Sequence, residues 1–400
     1  MTTSPHAVVL GSFETALGVV RSLGRAGIPT LVLDHQGLHA AHSRYASACS
    51  CPHPAADPDG FITALKELAR PFDSPPVLYV TADEYLEPVA RHRDELAKLY
   101  RFNIPDTALL TRIADKCAQV ALATEVGVAV PMTQLVTNRQ ECERAIERIP
   151  LPAFVKARDV VAWRRIFGSS TKGIAVRTKD EMRSALRQVL ERDVHVIVQE
   201  VIPGDATQHQ KVSAYISTSG EVLAAFTLRK LRQNPHGFGF GCVVETIEQP
   251  ELLALGTDFL LRIGYRGTGS AEFKFDVRDG RFKLIELNPR YWQQNALAER
   301  VGMNFPVLEY RDLCGLTVEP VTRFRTGVKW VSLGADLETS RQLWRSGELT
   351  VGDWLRSLQG EICWSDISMD DPGPGLWVMR QAVALRWQHL KRLFGLRDAN

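Results

Sequence analysis

Residues 271–290, AEFKFDVRDGRFKLIELNPR, decide how the chain is interpreted. The stretch predicts two short strands joined by a turn at Gly280. Glu286 and Asn288 are two residues apart, so they lie on one face of the second strand. A three-residue loop with Gly280 at a positive φ places Glu272 opposite Glu286, whereas a two-residue loop puts the two carboxylates on opposite faces.

The converging oxygens of this hairpin predict a cation site. Two carboxylates and an amide oxygen suit Mg²⁺, which keeps waters and substrate phosphates as its remaining ligands. The other face offers Phe273, Phe275, Ile285 and Leu287 to a core. An ordinary amphipathic hairpin with a solvated acidic face is the alternative interpretation.

The spacing of Glu272 and Glu286-Leu-Asn288-Pro-Arg290 resembles the metal-binding signature of the ATP-grasp superfamily. The resemblance extends over residues 7–316 and is closest to the D-aspartate-ligase-like branch of carboligases and amino-acid ligases. It implies that Glu272, Glu286 and Asn288 hold Mg²⁺, or alternatively Mn²⁺, against the phosphates of ATP. It also implies that Arg290 contacts the transferred phosphoryl group or an acyl phosphate.

Length and composition are those of a globular enzyme. Four hundred residues are enough for two to three packed units. A hydrophobic content of 45% with 24% charged residues is ordinary for such a protein, and a net charge of +2 gives no indication of a nucleic-acid partner.

The seven cysteines lack zinc-type spacing, which predicts free thiols in a reducing compartment and hence a cytoplasmic location. No apolar run is long enough to span a bilayer and no signal peptide is apparent, so we expect no stable membrane insertion.

Alternating strands and helices predict a doubly wound parallel sheet in residues 1–110. Gly11 begins no dinucleotide-binding fingerprint. Polar and aromatic residues just past the strand ends still line the crevice of such sheets, unless they are helix caps or solvated loop residues. These residues are Ser12, Phe13, Glu14, Asp34, Asp83 and Glu84. The resemblance implies that this domain contributes to the acceptor or carboxylate site.

Residues 111–200 are expected to form a nucleotide-binding lobe. Lys156 ends an apolar strand, where a lysine is unusual unless its charge meets an anion. The resemblance implies phosphate binding by Lys156 and a place near the nucleotide for Lys116. A glycine-rich loop follows, which could close over phosphates or be a plain hairpin loop. Its candidate residues are Ser169, Ser170, Lys172 and Gly173.

The apolar strand at 194–198 runs into Gln199-Glu-Val-Ile-Pro-Gly204. An adenine needs backbone donors and acceptors in an apolar pocket, and its ribose needs a polar partner. The resemblance implies that this segment binds the adenosine, with Asp205 on the ribose. A buried strand that runs into a turn is the alternative. The residues assigned to the adenine side are Gln199, Glu200, Val201 and Ile202.

Residues 201–316 are expected to form the catalytic and metal-binding lobe. Two strands with alternating polarity lead into a basic run that contains Arg229 and Lys230, before a glycine-rich loop at 233–241. Such a run can hold phosphates or a carboxylate. The resemblance favours Arg229 and Lys230 as substrate-side residues, and a surface hairpin is the alternative.

Residues 317–400 are predicted to be a C-terminal extension. Leu376 to Phe394 is a basic amphipathic segment. A position on a membrane surface is one option for such a helix, but we expect it to pack on the enzyme or on a second copy, and a homodimer is therefore another option.

The resemblance implies an ATP-dependent ligase that activates a carboxylate as an acyl phosphate and joins it to an amine. The expected partners are therefore a small-molecule carboxylate and a small-molecule amine. No covalent nucleophile is needed, because positioning and charge stabilisation carry such catalysis. A carboxylase or carbamoyl-phosphate-synthase-like enzyme that uses bicarbonate is one alternative, and a non-enzymatic ATP sensor is another.

Overall fold

The computed structural model describes residues 5–158, 163 and 173–394, which contain three β-sheets in succession along the chain. The fold is of the mixed α/β class, as the sequence predicts, with a parallel sheet first and two sheets of mainly antiparallel strands after it.

The N-terminal sheet is parallel, with strand order β3-β2-β1-β4. Its strands are β1 Ala7–Leu10, β2 Thr30–Asp34, β3 Ala46–Ser50 and β4 Val77–Val80, and its helices are α1 Glu14–Arg25, α2 Pro58–Ala69, α3 Asp83–Arg91 and α4 Arg93–Leu96. Val9 packs in one core with Leu17 of α1, and Leu10 packs in another core with Phe61 of α2. Helices therefore cover both faces, which confirms the doubly wound arrangement.

The second sheet is antiparallel, with order β5-β8-β6-β7. Its unit comprises α5 Thr107–Ala114, α6 Lys116–Glu125, β5 Thr133–Val136, α7 Arg139–Arg148, β6 Ala153–Ala157, β7 Gly173–Val176, α8 Lys179–Leu190 and β8 Val196–Glu200. Residues 107–125 form two helices, α5 and α6, with a break at Asp115. Asp115 has an extended backbone and accepts hydrogen bonds from the N–H groups of Cys117 and Ala118, so it caps α6.

The third sheet has seven strands in the order β13-β12-β9-β10-β11-β14-β15. Its first part comprises β9 His209–Ile216, β10 Val222–Asn234, β11 Phe240–Ile247, α9 Pro250–Arg262, β12 Gly267–Asp276, β13 Arg281–Asn288, α10 Asn295–Arg300 and α11 Phe305–Leu313. Its last part comprises β14 Lys329–Val331, α12 Leu333–Ser346, α13 Val351–Ser357, β15 Ile362–Trp364 and α14 Gly373–Phe394. The sheet thus continues beyond residue 316, where the sequence suggested a boundary. Among the described residues, no helix has the length and apolar character to cross a bilayer.

The register of the β12–β13 hairpin places Glu272 opposite Glu286. The loop between the paired residues Asp276 and Arg281 has four residues, not three, and a β-bulge at Ile285 restores the pairing. The bulge also corrects one expectation, because Ile285 lines a cavity and does not face the core. The other three predicted core residues of the hairpin pack in the core beneath it.

One core joins the parallel sheet to the seven-stranded sheet. Leu17 of α1 shares it with Phe226 of β10 and with Trp292, which follows β13. The Tyr79 hydroxyl donates to the carbonyl of Pro306, 2.9 Å away. The start of α3 is thereby held next to the end of β13.

Candidate active site

A cavity of about 450 Å³ opens between the four-stranded antiparallel sheet and the seven-stranded sheet. It collects most of the residues to which the sequence assigns a function. Those that line it are Lys116, Lys156, Gln199, Glu200, Val201, Ile202, Lys230, Glu272, Glu286, Asn288 and Arg290. Residues far apart in sequence therefore line one cavity. The alternative interpretation, an ordinary hairpin with a solvated acidic face, does not account for this convergence.

Glu286 is the more accessible of the two hairpin carboxylates. Its Oε1 accepts a hydrogen bond from Lys116 Nζ at 2.5 Å. Burial alone would raise the pKa of Glu286, but the Lys116 ammonium lowers it to about 2. Within the described part of the chain, neither Glu286 Oε2 nor the Asn288 side chain has a hydrogen-bond partner. An ionised oxygen and an amide oxygen are thus available on one strand face, and this donor set fits Mg²⁺.

Glu272 lies in a cage of three side chains. Lys211 Nζ is 2.9 Å from Glu272 Oε1, and Lys230 Nζ is 3.0 Å from Oε2. His209 Nε2 is 3.1 Å from Oε2 as well. Burial alone would raise the pKa of Glu272, but the two ammonium groups hold it well below its usual value. Burial and the neighbouring Lys230 lower the pKa of His209 to about 4, so the imidazole is neutral at pH 7. Glu272 fits a cation only if at least one lysine turns away.

Lys156 extends from β6 towards the same cavity. Its Nζ donates to Gln199 Oε1 at 3.0 Å, and Gln199 in turn donates to Thr133 Oγ1 at 2.9 Å. Burial, with the nearby Lys116 ammonium, lowers the pKa of Lys156 to about 8. An anion in the cavity would relieve the repulsion between the two ammonium groups, so both lysines suit phosphate oxygens.

The segment after β8 forms the apolar end of the cavity. The Glu200 carboxylate accepts from the Met132 N–H at 2.9 Å and from Arg278 at 2.8 Å. The Val201 N–H donates to the Pro152 carbonyl at 2.9 Å. Glu200 therefore uses its side chain to fix the segment, while Ile202 is buried against the cavity.

Three of the predicted site residues that the structure describes, Arg229, Asp205 and Gly173, are not part of the cavity lining. Arg229 donates to Glu245 on β11 and does not line the cavity. Adjacent strand residues face opposite sides of a sheet, so Arg229 points away when Lys230 points in. Asp205 accepts from the N–H and the hydroxyl of Thr207, so it caps a short 3₁₀ turn outside the cavity lining.

The glycine-rich loop before β7 lies mostly outside the described residues. Ser169, Ser170 and Lys172 belong to this undescribed segment, and their predicted phosphate contacts stay predictions. Gly173 is the first residue of β7 and pairs with Lys156. A Cβ atom at Gly173 would lie 2.3 Å from the carbonyl oxygen of Val155, so the close approach of β6 and β7 requires glycine there.

Arg290 is bound by a carboxylate from the N-terminal sheet unit. Its Nε and its second terminal nitrogen lie 2.6 Å and 2.9 Å from the two carboxylate oxygens of Asp83, at the start of α3. Both residues line the cavity. The parallel-sheet unit therefore supplies Asp83 to the cavity. The other residues expected past its strand ends do not line it; these are Ser12, Phe13, Glu14, Asp34 and Glu84.

Several cavity residues were not found from the sequence. Lys211 and His209 of β9 surround Glu272, and Lys274 of β12 donates to the Gly204 carbonyl. Lys211 lies on a strand that also contains His209, Gln210 and Ser213, so it lacks the apolar sequence context of Lys156. The stacked rings of Phe154 and Phe238, with centroids 4.6 Å apart, bring the loop between β10 and β11 over β6. No local sequence pattern predicts the contact between Phe154 and Phe238.

Solved structures are similar to this chain in fold. N5-carboxyaminoimidazole ribonucleotide synthetase from Thermus thermophilus is 17% identical, with a TM-score of 0.62 over 81% of each chain. The biotin carboxylase domain dimer of Hydrogenobacter thermophilus 2-oxoglutarate carboxylase, in complex with MgADP, ADP and bicarbonate, is 16% identical, with a TM-score of 0.60 over 80% of this chain and 72% of that one.

The family model of the carbamoyl-phosphate synthase L chain, ATP binding domain, matches residues 247–309, which include the β12–β13 hairpin. The family model and these relatives have the ATP-grasp superfamily in common, whose members are ATP-dependent ligases, and this chain is similar to that superfamily. Among curated proteins it is similar to D-aspartate ligase from Enterococcus faecium (strain Aus0004), with 24% identity over 311 residues that cover 74% of each chain.

Proposed function

We propose that the protein is an ATP-dependent carboxylate–amine ligase that forms an amide or peptide bond and releases ADP and phosphate. The observation that carries the proposal is the pairing of Arg290 with the Asp83 carboxylate, two residues beyond the Mg²⁺ candidate Asn288. A guanidinium fork that already binds a carboxylate beside a phosphate site suits a carboxylate substrate. The similarity to D-aspartate ligase supports an amino acid as that substrate.

The cavity has the charges that ATP needs. Lys116 and Lys156 face the phosphates in this proposal, and the segment with Gln199, Val201 and Ile202 encloses the adenine. Glu286 and Asn288 would hold Mg²⁺, and Glu272 would join them once its lysines engage phosphate. The ion would supply neutralisation of the phosphate charge that develops during transfer. Because Asp205 caps a turn outside the cavity lining, we leave the ribose partner unassigned.

The proposed chemistry has two steps. First, a carboxylate oxygen of the acid attacks the γ-phosphorus of ATP, the bond to the β-phosphate oxygen breaks, and ADP leaves. Arg290 then releases Asp83 and binds the acyl phosphate. Second, the amine attacks the acyl carbon, phosphate departs with the bonding electrons, and the nitrogen loses a proton to solvent. Lys230 lines the same cavity and would stabilise the departing phosphate.

A two-part assay tests the proposal. Amino acids, with D- and L-aspartate first, are offered singly and in pairs with ATP and Mg²⁺, and ADP release and product mass are measured. With the acid present and no amine, hydroxylamine should convert the acyl phosphate into a hydroxamate. If an acid supports ADP release but yields no hydroxamate, the acyl-phosphate mechanism is wrong.

A bicarbonate-dependent activity is the second candidate, because a solved neighbour is described with bicarbonate bound. Under that alternative, ADP release depends on bicarbonate and not on an amino acid. The same assay with and without bicarbonate separates the two candidates. Saturable ATP binding with no ADP release under any condition would instead favour a sensor.

A further inference from the structure

The C-terminal helix α14 extends away from the body of the protein. Its first turns contact the body, where the ring of Trp377 stacks on His42 with a centroid distance of 5.0 Å. From Met379 to Gln388, every residue whose side chain the structure describes is exposed. The helix has 22 residues, so it is about 33 Å long, and among the side chains that the structure describes, packing on the enzyme covers only the beginning of the helix. Packing on the enzyme's own surface, one of the two arrangements expected from the sequence, is therefore wrong for residues 379–388, and packing on a second copy stays a prediction.

The exposed part of α14 carries an apolar stripe. Leu376, Met379, Val383 and Trp387 are spaced by three, four and four residues, which places them on one helix face. Their exposed fractions are 52%, 65%, 66% and 57%, so all four present apolar surface to solvent. An unpaired stripe of this kind marks an interaction surface.

Basic residues border the stripe and acidic residues are absent. Arg380 lies four residues after Leu376, and Arg386 lies three residues after Val383, so both adjoin the stripe, and both are exposed. The sequence from 372 to 397 contains five Arg and Lys residues and no Asp or Glu. This charge pattern is complementary to an anionic surface. A second copy of the helix would bring like charges together, which disfavours self-association.

We propose that α14 binds an anionic lipid bilayer surface, lying in the plane of the headgroups with Leu376, Met379, Val383 and Trp387 in the acyl region. Tryptophan and basic side chains around an apolar face are the residue types that such interfacial helices use. Binding is peripheral, since no described helix is apolar enough to cross the bilayer. The contact with His42 then anchors the enzyme body at the membrane.

The test is co-sedimentation of the full chain with vesicles. Phosphatidylcholine vesicles with about 30 mol% phosphatidylglycerol are compared with pure phosphatidylcholine, at about 0.1 M and about 0.5 M salt. We expect binding to the anionic vesicles that weakens at least tenfold in high salt, and little binding to the neutral vesicles. Absence of binding to anionic vesicles, or equal salt-insensitive binding to both, overturns the proposal.

Matched variants locate the surface. Val383→Ser with Trp387→Ser should reduce vesicle binding at least tenfold, and Arg380→Gln with Arg386→Gln should remove its salt dependence. Gln381→Ala with Gln388→Ala, on the opposite face, should bind as the wild type does. All these side chains are exposed, so melting temperatures should be unchanged. Light scattering that shows a dimer, lost in the Val383→Ser/Trp387→Ser variant, would assign the stripe to a second copy and overturn the lipid assignment.

Discussion

Glu272 and Glu286 face each other across one hairpin, but their surroundings differ. The Glu272 side chain is 14% exposed and meets two lysines and a histidine. The Glu286 side chain is 39% exposed and meets Lys116 alone. A carboxylate with both oxygens engaged mainly balances buried cations, whereas one with a free oxygen can take a new ligand. Both residues are glutamates and they pair directly across the hairpin, so the difference in their exposure and contacts comes from the elements packed around each of them.

The largest expected effect concerns the accessible carboxylate. Glu286→Gln should lower kcat for ADP formation roughly 10³-fold or more, because a Mg²⁺ ligand contributes several kcal/mol of transition-state stabilisation. Its melting temperature should change little, since only the contact with Lys116 is lost. Wild-type turnover in this variant at saturating Mg²⁺ would contradict the role of Glu286 as a Mg²⁺ ligand.

The enclosed carboxylate, Glu272, should affect stability in addition to activity. Glu272→Gln leaves Lys211 and Lys230 buried beside each other without a counter-charge, which should cost about 3 kcal/mol of unfolding free energy. The urea midpoint measures this loss. Glu125→Gln is the control, because Glu125 and its partner Arg112 are 57% and 40% exposed and such pairs contribute about 1 kcal/mol or less. An equal loss in both variants would mean that the enclosure of Glu272 does not increase its contribution to the free energy of unfolding.

Arg290 extends the comparison to the end of the Glu286 strand. Arg290→Lys keeps the charge but loses the two-point contact that the fork makes with Asp83. We expect kcat to fall roughly 30-fold while KM for ATP changes less, because the contact belongs mainly to the transferred group. Steady-state kinetics with the acid substrate measure both constants. A rise in KM for ATP with unchanged kcat would indicate that Arg290 contacts the nucleotide and not the transferred group.

The smallest expected effect is the pH dependence of ATP affinity that Lys156 causes. The pKa of Lys156 without a ligand is about 8, and phosphate raises it on binding. ATP affinity is therefore fully present below pH 8 and should fall about tenfold per pH unit above it, until the bound pKa is reached. Calorimetric titration from pH 7 to pH 9.5 measures this slope. Lys156→Arg stays charged and should lose the slope; retention of the slope would assign it to another group.

The sequence was most informative where a local pattern has a direct geometric meaning. The spacing of Glu286 and Asn288 fixed a shared strand face, and a lysine at the end of an apolar strand identified Lys156. The same approach assigned Arg229 and Lys230 together, although adjacent strand residues face opposite sides, and the structure separates them.

Long-range contacts were beyond any local pattern. The strand Ala46–Ser50 has small, largely exposed side chains and gives no apolar run, so it was not predicted. The lysines around Glu272 come from β9 and β10, and only the sheet order brings them to β12. Asp83 reaches Arg290 because the core around Trp292 holds the two units together.

The bulge at Ile285 sets a rule for how this hairpin can vary in length. The four-residue loop by itself would put Glu272 opposite Ile285 and turn Glu286 to the other face, and the bulge corrects the pairing by one residue. A residue inserted between Val277 and Gly280 lengthens the loop and leaves the pairing of Glu272 with Glu286 unchanged. A residue inserted in β13 between Arg281 and Leu284 turns Glu286 to the other face, unless a second bulge forms. Natural variation in the length of this hairpin should consequently occur in the loop and not in the strand between the loop and the bulge.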